Sequence, residues 1–249
     1  DDAPAALSLG TDTVNTDTKV SRIGYYGGER KCCFPLAGSP AIDGGNANRG
    51  ALVPGADGRG FFRNASSTFV PNSNPVDIGA VETNPHGNLT VTSSADSGSG
   101  SLRAAITSAL GQAGTNTHHI IIDASLSGQV LDLQSVIFVE DNHNINIDGS
   151  ALATPLKITG DISQSLLILS SSPGDFFMSG SLTALTIDGY SVSSGTNARA
   201  AVSVSGGSRF GLQRMIIEDC RPVIHGALDV FDQSEVFIDE CFFQRNRQL

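Results

Sequence analysis

Met215-Ile216-Ile217-Glu218-Asp219-Cys220 returns further along the chain as Val236-Phe237-Ile238-Asp239-Glu240-Cys241, the same succession of apolar triplet, acidic pair and cysteine. An apolar triplet ending in carboxylates reads as a short strand entering a turn, because Asp side chains hydrogen-bond nearby backbone and favour turns. A reduced form recurs upstream: the Ile-acid pairs Ile147-Asp148, Ile187-Asp188, Ile217-Glu218 and Ile238-Asp239 follow one another at intervals of 40, 30 and 21. An interval of 21 suits one coil of a β-solenoid, and 40 suits two.

Further apolar runs fill the intervals, among them Ile120-Ile121-Ile122, Ile137-Phe138-Val139, Leu156-Lys157-Ile158, Leu166-Leu167-Ile168-Leu169 and Ala201-Val202-Ser203-Val204. Polar turns separate them. The expected fold is all-β, a right-handed parallel β-helix. A β-sandwich is the competing architecture, since short strands and turns alone suit it equally. One helix is expected, from Ser101 to about Gly111, where Leu102, Ala105, Ile106, Ala109 and Leu110 make an apolar stripe. Ser99 or Ser101 is its N-cap, and Gly111 or Gly114 its end. Such a helix covers the open end of a first coil.

Composition narrows the function. The chain has 249 residues, 16% charged, with a net charge of −10 and no Trp. Phosphate binding needs clustered Lys and Arg, so nucleic acid is excluded as an expected partner. No run of 18 apolar residues marks a transmembrane helix. The opening Asp1-Asp2-Ala3-Pro4-Ala5-Ala6 lacks the basic and apolar regions of a signal peptide. It suits the start left after one is cleaved, or an internal boundary. Adjacent Cys32 and Cys33 have no zinc-finger spacing around them.

Two longer segments carry a resemblance. Pro35-Leu36-Ala37-Gly38-Ser39-Pro40-Ala41-Ile42-Asp43, with Asp57-Gly58-Arg59 and Val76-Asp77-Ile78-Gly79-Ala80-Val81-Glu82, resembles the closing stretch of bacterial secreted parallel β-helix proteins of the choice-of-anchor or polymorphic outer-membrane-protein-like type. Asn88-Leu89-Thr90-Val91-Thr92-Ser93-Ser94-Ala95-Asp96-Ser97-Gly98-Ser99-Gly100-Ser101-Leu102-Arg103-Ala104-Ala105-Ile106 resembles their opening stretch. The ending precedes the beginning. The resemblance implies a cap-like domain over residues 1–84, with Asp43, Arg59 and Asp77 as structural cap residues, and a β-helix over residues 85–249. Three arrangements reconcile that order: a piece of a tandem protein, a first segment folded back onto its own coils, or one that covers the next copy.

Several side chains are candidate sites. Stacked coils would bring Asp148, Asp188, Glu218 and Asp239 into a column about 4.8 Å apart. Like charges that close repel, which invites a bound cation or raised pKa values, and such a column would resemble the calcium-bearing grooves of pectate lyases. The alternative is that each acid sits where a strand enters a solvated turn. Cys220 and Cys241 occupy matching places in the repeat, which implies a reduced ladder or a disulfide. His225-Gly226 resembles the His-Gly pair of polygalacturonases, but only Asp219, Asp229 and Asp232 lie near, without that family's other motifs. His118 and His119 are consecutive, so on a strand they point to opposite faces and do not share a metal. His143 sits in a polar turn, and the Gly-rich Asp96–Ser101 stretch opens the helix without a phosphate-binding Lys.

The functional expectation is a secreted or cell-surface structural protein that self-associates head to tail into a filament or array. Alternatives are an adhesin or carbohydrate-binding protein with a cell-surface polysaccharide as partner, and a polysaccharide lyase or hydrolase. No catalytic residue is assigned.

Overall fold

The computed structural model of the chain describes residues 17–21, 23, 31–35, 39–42, 44–45, 57–58, 76–82, 89–111, 117–140, 144–161, 165–170, 179–191, 200–222 and 226–247. Among them, fifteen strands and one α-helix follow in order: β1 (Leu89–Val91), α1 (Leu102–Leu110), β2 (Thr117–Ile122), β3 (Val130–Asp132), β4 (Ile137–Glu140), β5 (Asn144–Asp148), β6 (Lys157–Thr159), β7 (Leu167–Ser170), β8 (Ser179–Thr183), β9 (Thr186–Asp188), β10 (Val202–Ser205), β11 (Arg209–Gln213), β12 (Ile216–Glu218), β13 (Leu228–Val230), β14 (Glu235–Asp239) and β15 (Phe242–Gln244).

From β2 onward the chain visits three parallel sheets in rotation. One sheet holds β1-β2-β5-β8-β11-β14, the second β3-β6-β9-β12-β15, and the third β4-β7-β10-β13. This is a β-solenoid of about four turns, as expected, and the sandwich is excluded because the pairing of named strands is parallel throughout.

Period-two alternation points every second side chain inward, and register stacks these into ladders. Leu89, Ile120, Ile147, Leu182, Leu212 and Ile238 form one on the six-stranded face. Leu131, Ile158, Ile187, Ile217 and Phe243 form another on the five-stranded face. Val139, Leu169, Val204 and Val230 run up the four-stranded face. The core is these ladders meeting. At its front, α1 buries Leu102, Ala105, Ile106 and Ala109, and Ser101 caps it by accepting from the Ala104 N–H at 3.2 Å. Arg103 pins the helix to the first coil, donating to the carbonyls of Val136 and Ser135 at 2.8 and 2.7 Å and to Asp96 at 2.6 Å.

The corners explain the opening repeat. Ala184, Arg214 and Glu240 follow strands of the six-stranded face with φ of 55°, 50° and 52°; Asp219 and Arg245 follow strands of the five-stranded face with φ of 52° and 53°. A left-handed residue swings the chain sharply, and the next one is turned in: Leu185, Met215 and Cys220 are buried. Stacked corners satisfy one another's amides, as Arg214 N–H donates to the Asp239 carbonyl at 2.9 Å and Asp219 N–H to that of Gln244 at 3.2 Å.

The expected coil length of 21 is therefore corrected. Register pairs Leu212 with Ile238 at the C-terminal end, a coil of 26, and Ile147 with Leu182 further forward, a coil of 35. Met215–Cys220 and Val236–Cys241 are the same local motif on different faces. The interval of 21 is the coil of 26 less the five positions from Leu212 to Ile217.

Candidate functional site

The first segment meets the solenoid on the outer side of the six-stranded face. Val20 and Pro35 form an antiparallel bridge, with Ser21 N–H donating to the Phe34 carbonyl at 2.8 Å and Phe34 N–H to the Ser21 hydroxyl at 2.8 Å. Phe34 packs edge-on against His119 of β2, with ring centroids 4.3 Å apart. Lys31 pairs with Asp239 of β14 at 2.8 Å. Those two strands are four steps apart in the sheet, about 19 Å at the usual spacing. Lys31 and Phe34, close neighbours in sequence, reach both, so Lys31–Phe34 crosses the strands as a strap.

Described residues of the first segment hydrogen-bond to one another. Ile78 N–H donates to the Ala41 carbonyl at 2.8 Å, Gly58 N–H to that of Ala80 at 2.6 Å, and Glu82 N–H to the Asp57 carboxylate at 3.1 Å. Asp77 is buried, and its N–H donates to the Glu82 carboxylate at 3.1 Å. Asp43 and Arg59 lie outside the described residues, as do His143 and His225. Asp219, one of the acids near His225 in sequence, is held by Arg245.

Two outward rows of this face are polar yet sealed. His119, Asn146 and Ser181 in one, and Asp148, Thr183 and Gln213 in the next, are all buried. His119 is 1% and Asp148 3% exposed at the side chain, with Nε2 3.4 Å from Oδ2. That separation is long for a hydrogen bond, and neither His119 ring nitrogen meets a partner at ordinary hydrogen-bond geometry. Burial works to raise the Asp148 pKa, but His119 and the Ser150 hydroxyl and amide outweigh it and hold it below the ordinary carboxylate value. Ser181 donates to Asn146 Oδ1 at 2.9 Å. His118 points inward and is buried, so the two histidines do face apart.

The carboxylate column divides between faces. Asp188 and Glu218 are register neighbours on the five-stranded face. Asp148 and Asp239 belong to the six-stranded face, separated by Thr183 and Gln213. Each acid has its own basic partner: Asp148 has His119, Asp188 has Lys157 at 2.7 Å, Glu218 has Arg245 at 2.6 Å, and Asp239 has Lys31. Arg245 also holds Asp219 at 2.7 Å, and this hydrogen bond lowers the Asp219 pKa. Among the described residues no three His, Cys, Asp or Glu side chains converge as metal ligands.

Register likewise separates the cysteines. The Met215 N–H lies 3.4 Å from Cys241 Sγ, and Cys220 N–H donates to Asn246 Oδ1 at 3.0 Å, so neither thiol stacks on the other. All four cysteines are free thiols. Burial pushes the Cys220 pKa up to about 12. The expected labelling is therefore ordered: exposed Cys33 reacts promptly with a thiol reagent at neutral pH, and Cys220 only when denaturant unfolds the coils. Prompt labelling of Cys220, located by peptide mass, would contradict this burial.

Beside the Lys31–Asp239 pair lies a cleft of about 320 Å³, lined by Ile23, Lys31, Gln213, Arg214, Asp239 and Glu240. Sequence reading missed Lys31, Phe34 and Arg214. Phe34 and His119 stand far apart along the chain, on opposite sides of the connector before β1, and nothing local marks a partner so distant. Among the described residues no helix is long and apolar enough to cross a membrane. No protein-family model, curated protein or solved structure matches the chain.

Proposed function

We propose that this chain is a non-catalytic structural module of the cell exterior, which joins end to end with further β-coils into a linear array. The carrying observation is where the apolar ladders stop. Every inner member of the three ladders beyond Leu89 is buried, while the last members, Ile238, Phe243 and Val230, are 51%, 43% and 39% exposed. Apolar side chains aimed along a stack, with strand edges beside them, are the surface that another coil covers. Ile238 lies on β14, at one edge of the six-stranded sheet; β1 is its other edge, and all its strands run the same way. The β1 end is covered by α1, so the open edge is β14, and a further parallel coil set against it continues the sheet.

The non-catalytic reading draws on the same chemistry. The His119–Asp148 pair is sealed beneath Phe34, and the stacked acids are matched by Lys157, Arg245 and Lys31. The exterior setting rests on the resemblance of residues 35–82 and 88–106 alone. Sedimentation and electron microscopy from about 1 µM to 1 mM are expected to give concentration-dependent linear particles. The double variant Ile238→Asp, Phe243→Asp is expected to stay monomeric with an unchanged circular dichroism spectrum. Strictly monomeric native chain over that range sinks the proposal.

A further inference from the structure

The cleft under the strap holds two charges that no described side chain matches. Arg214 follows β11 and Glu240 follows β14 at equivalent corners one coil apart, both in left-handed backbone. At the neighbouring corner opposite charges close on each other, Arg245 onto Asp219 and Glu218. Arg214 and Glu240 form no ion pair with each other or with another described residue, although both line the cleft. Nη2 of Arg214 is buried without a hydrogen-bond partner. Lys31 and Asp239, also in the lining, already engage each other at 2.8 Å.

A guanidinium accepts a carboxylate through paired N–H donors, and a free carboxylate accepts an ammonium. Equivalent positions on adjacent coils are about 4.8 Å apart, a separation that one small molecule carrying both charges spans. We propose that the cleft binds a small zwitterion of the α-amino-acid type, its carboxylate on Arg214, its ammonium on Glu240, and its side chain toward Ile23. A volume of about 320 Å³ fits such a molecule and stands at the small end of ligand pockets. Ile23 and Lys31 come from the first segment, so the site is complete only with that segment in place.

Calorimetric titration of the full chain with L-alanine tests this, with acetate and methylammonium as probes of each half. L-Alanine is expected to bind saturably, each half-probe at least about tenfold more weakly. Arg214→Gln and Glu240→Gln are each expected to weaken L-alanine binding by about tenfold or more, while Arg209→Gln, whose partner Glu235 lies outside the cleft lining, leaves it unchanged. Circular dichroism and unfolding midpoints establish that each variant is folded. No saturation by about 50 mM L-alanine, native affinity in both cleft variants, or acetate binding as tightly as L-alanine each overturns the proposal.

Discussion

Replacing Gly180 with valine is expected to lower the unfolding free energy by about 2–4 kcal/mol, the range of an overpacked core made worse by a backbone clash. Gly180 stands in an inward column between Ile145 below and Phe210 above. A Cβ built there falls onto the Ile145 carbonyl oxygen and comes within 2.8 Å of the Phe210 ring. The glycine supplies room rather than unusual backbone freedom. Its missing side chain is the space that the Phe210 ring fills, so the two positions are coupled. The chain has no Trp, so urea unfolding followed by circular dichroism is the suitable measurement. Gly180→Ala combined with Phe210→Leu is expected to cost less than the sum of the single changes. A Gly180→Val midpoint equal to the native one would refute this packing.

Asp148→Ala is expected to cost about 2–4 kcal/mol at neutral pH, because it strands groups that were ordered around a buried carboxylate. The Ser150 N–H, which donates to Oδ1 at 2.8 Å, loses its acceptor, and His119 is left sealed with no charge beside it. The pH dependence has a definite sign. The Asp148 pKa is lower in the folded chain than the ordinary value of 3.8, so the folded state holds its proton less tightly than the unfolded chain. Its stabilisation is therefore fully present above the unfolded value and is lost as pH falls through the folded one. Asp148→Asn keeps the shape and removes that titration, so its stability should fall less steeply below about pH 4. Parallel acid profiles for the native chain and Asp148→Asn would show that the carboxylate is not held as described.

The solenoid is legible in the sequence because its signal is local and repeated. Apolar triplets, acidic turns and the amphipathic run at Leu102–Leu110 each report on a few consecutive residues. The helix has Ser101 and Gly111 as its caps, both among the expected ones. The coil length misleads for a physical reason: the two cysteine motifs share one corner geometry, and a triangular coil has more than one corner that uses it. The run Leu182–Gly189 shows no break in the sequence, because Ala184 gives no hint of the left-handed turn it takes. Strands β11, β13 and β15 are short or interrupted by polar residues, and they exist because their neighbours in the stack pair with them. The carboxylates are visible in the sequence, but their partners are not: Lys157 and Asp188 meet only across a coil, and Lys31 and Asp239 only across the whole chain. The strap and its cleft depend on contacts that no sequence interval encodes.

The strap gives the molecule a mechanical handedness of its own. Stacked coils touch only their neighbours, so a plain solenoid under load deforms one interface at a time. Here a short stretch of chain runs parallel to the long axis and is anchored at both ends, by Phe34 on β2 and Lys31 on β14. Bending that makes the six-stranded face convex stretches those anchors, while bending the opposite way leaves them slack. The two anchors together oppose flexing in one direction and not in the other.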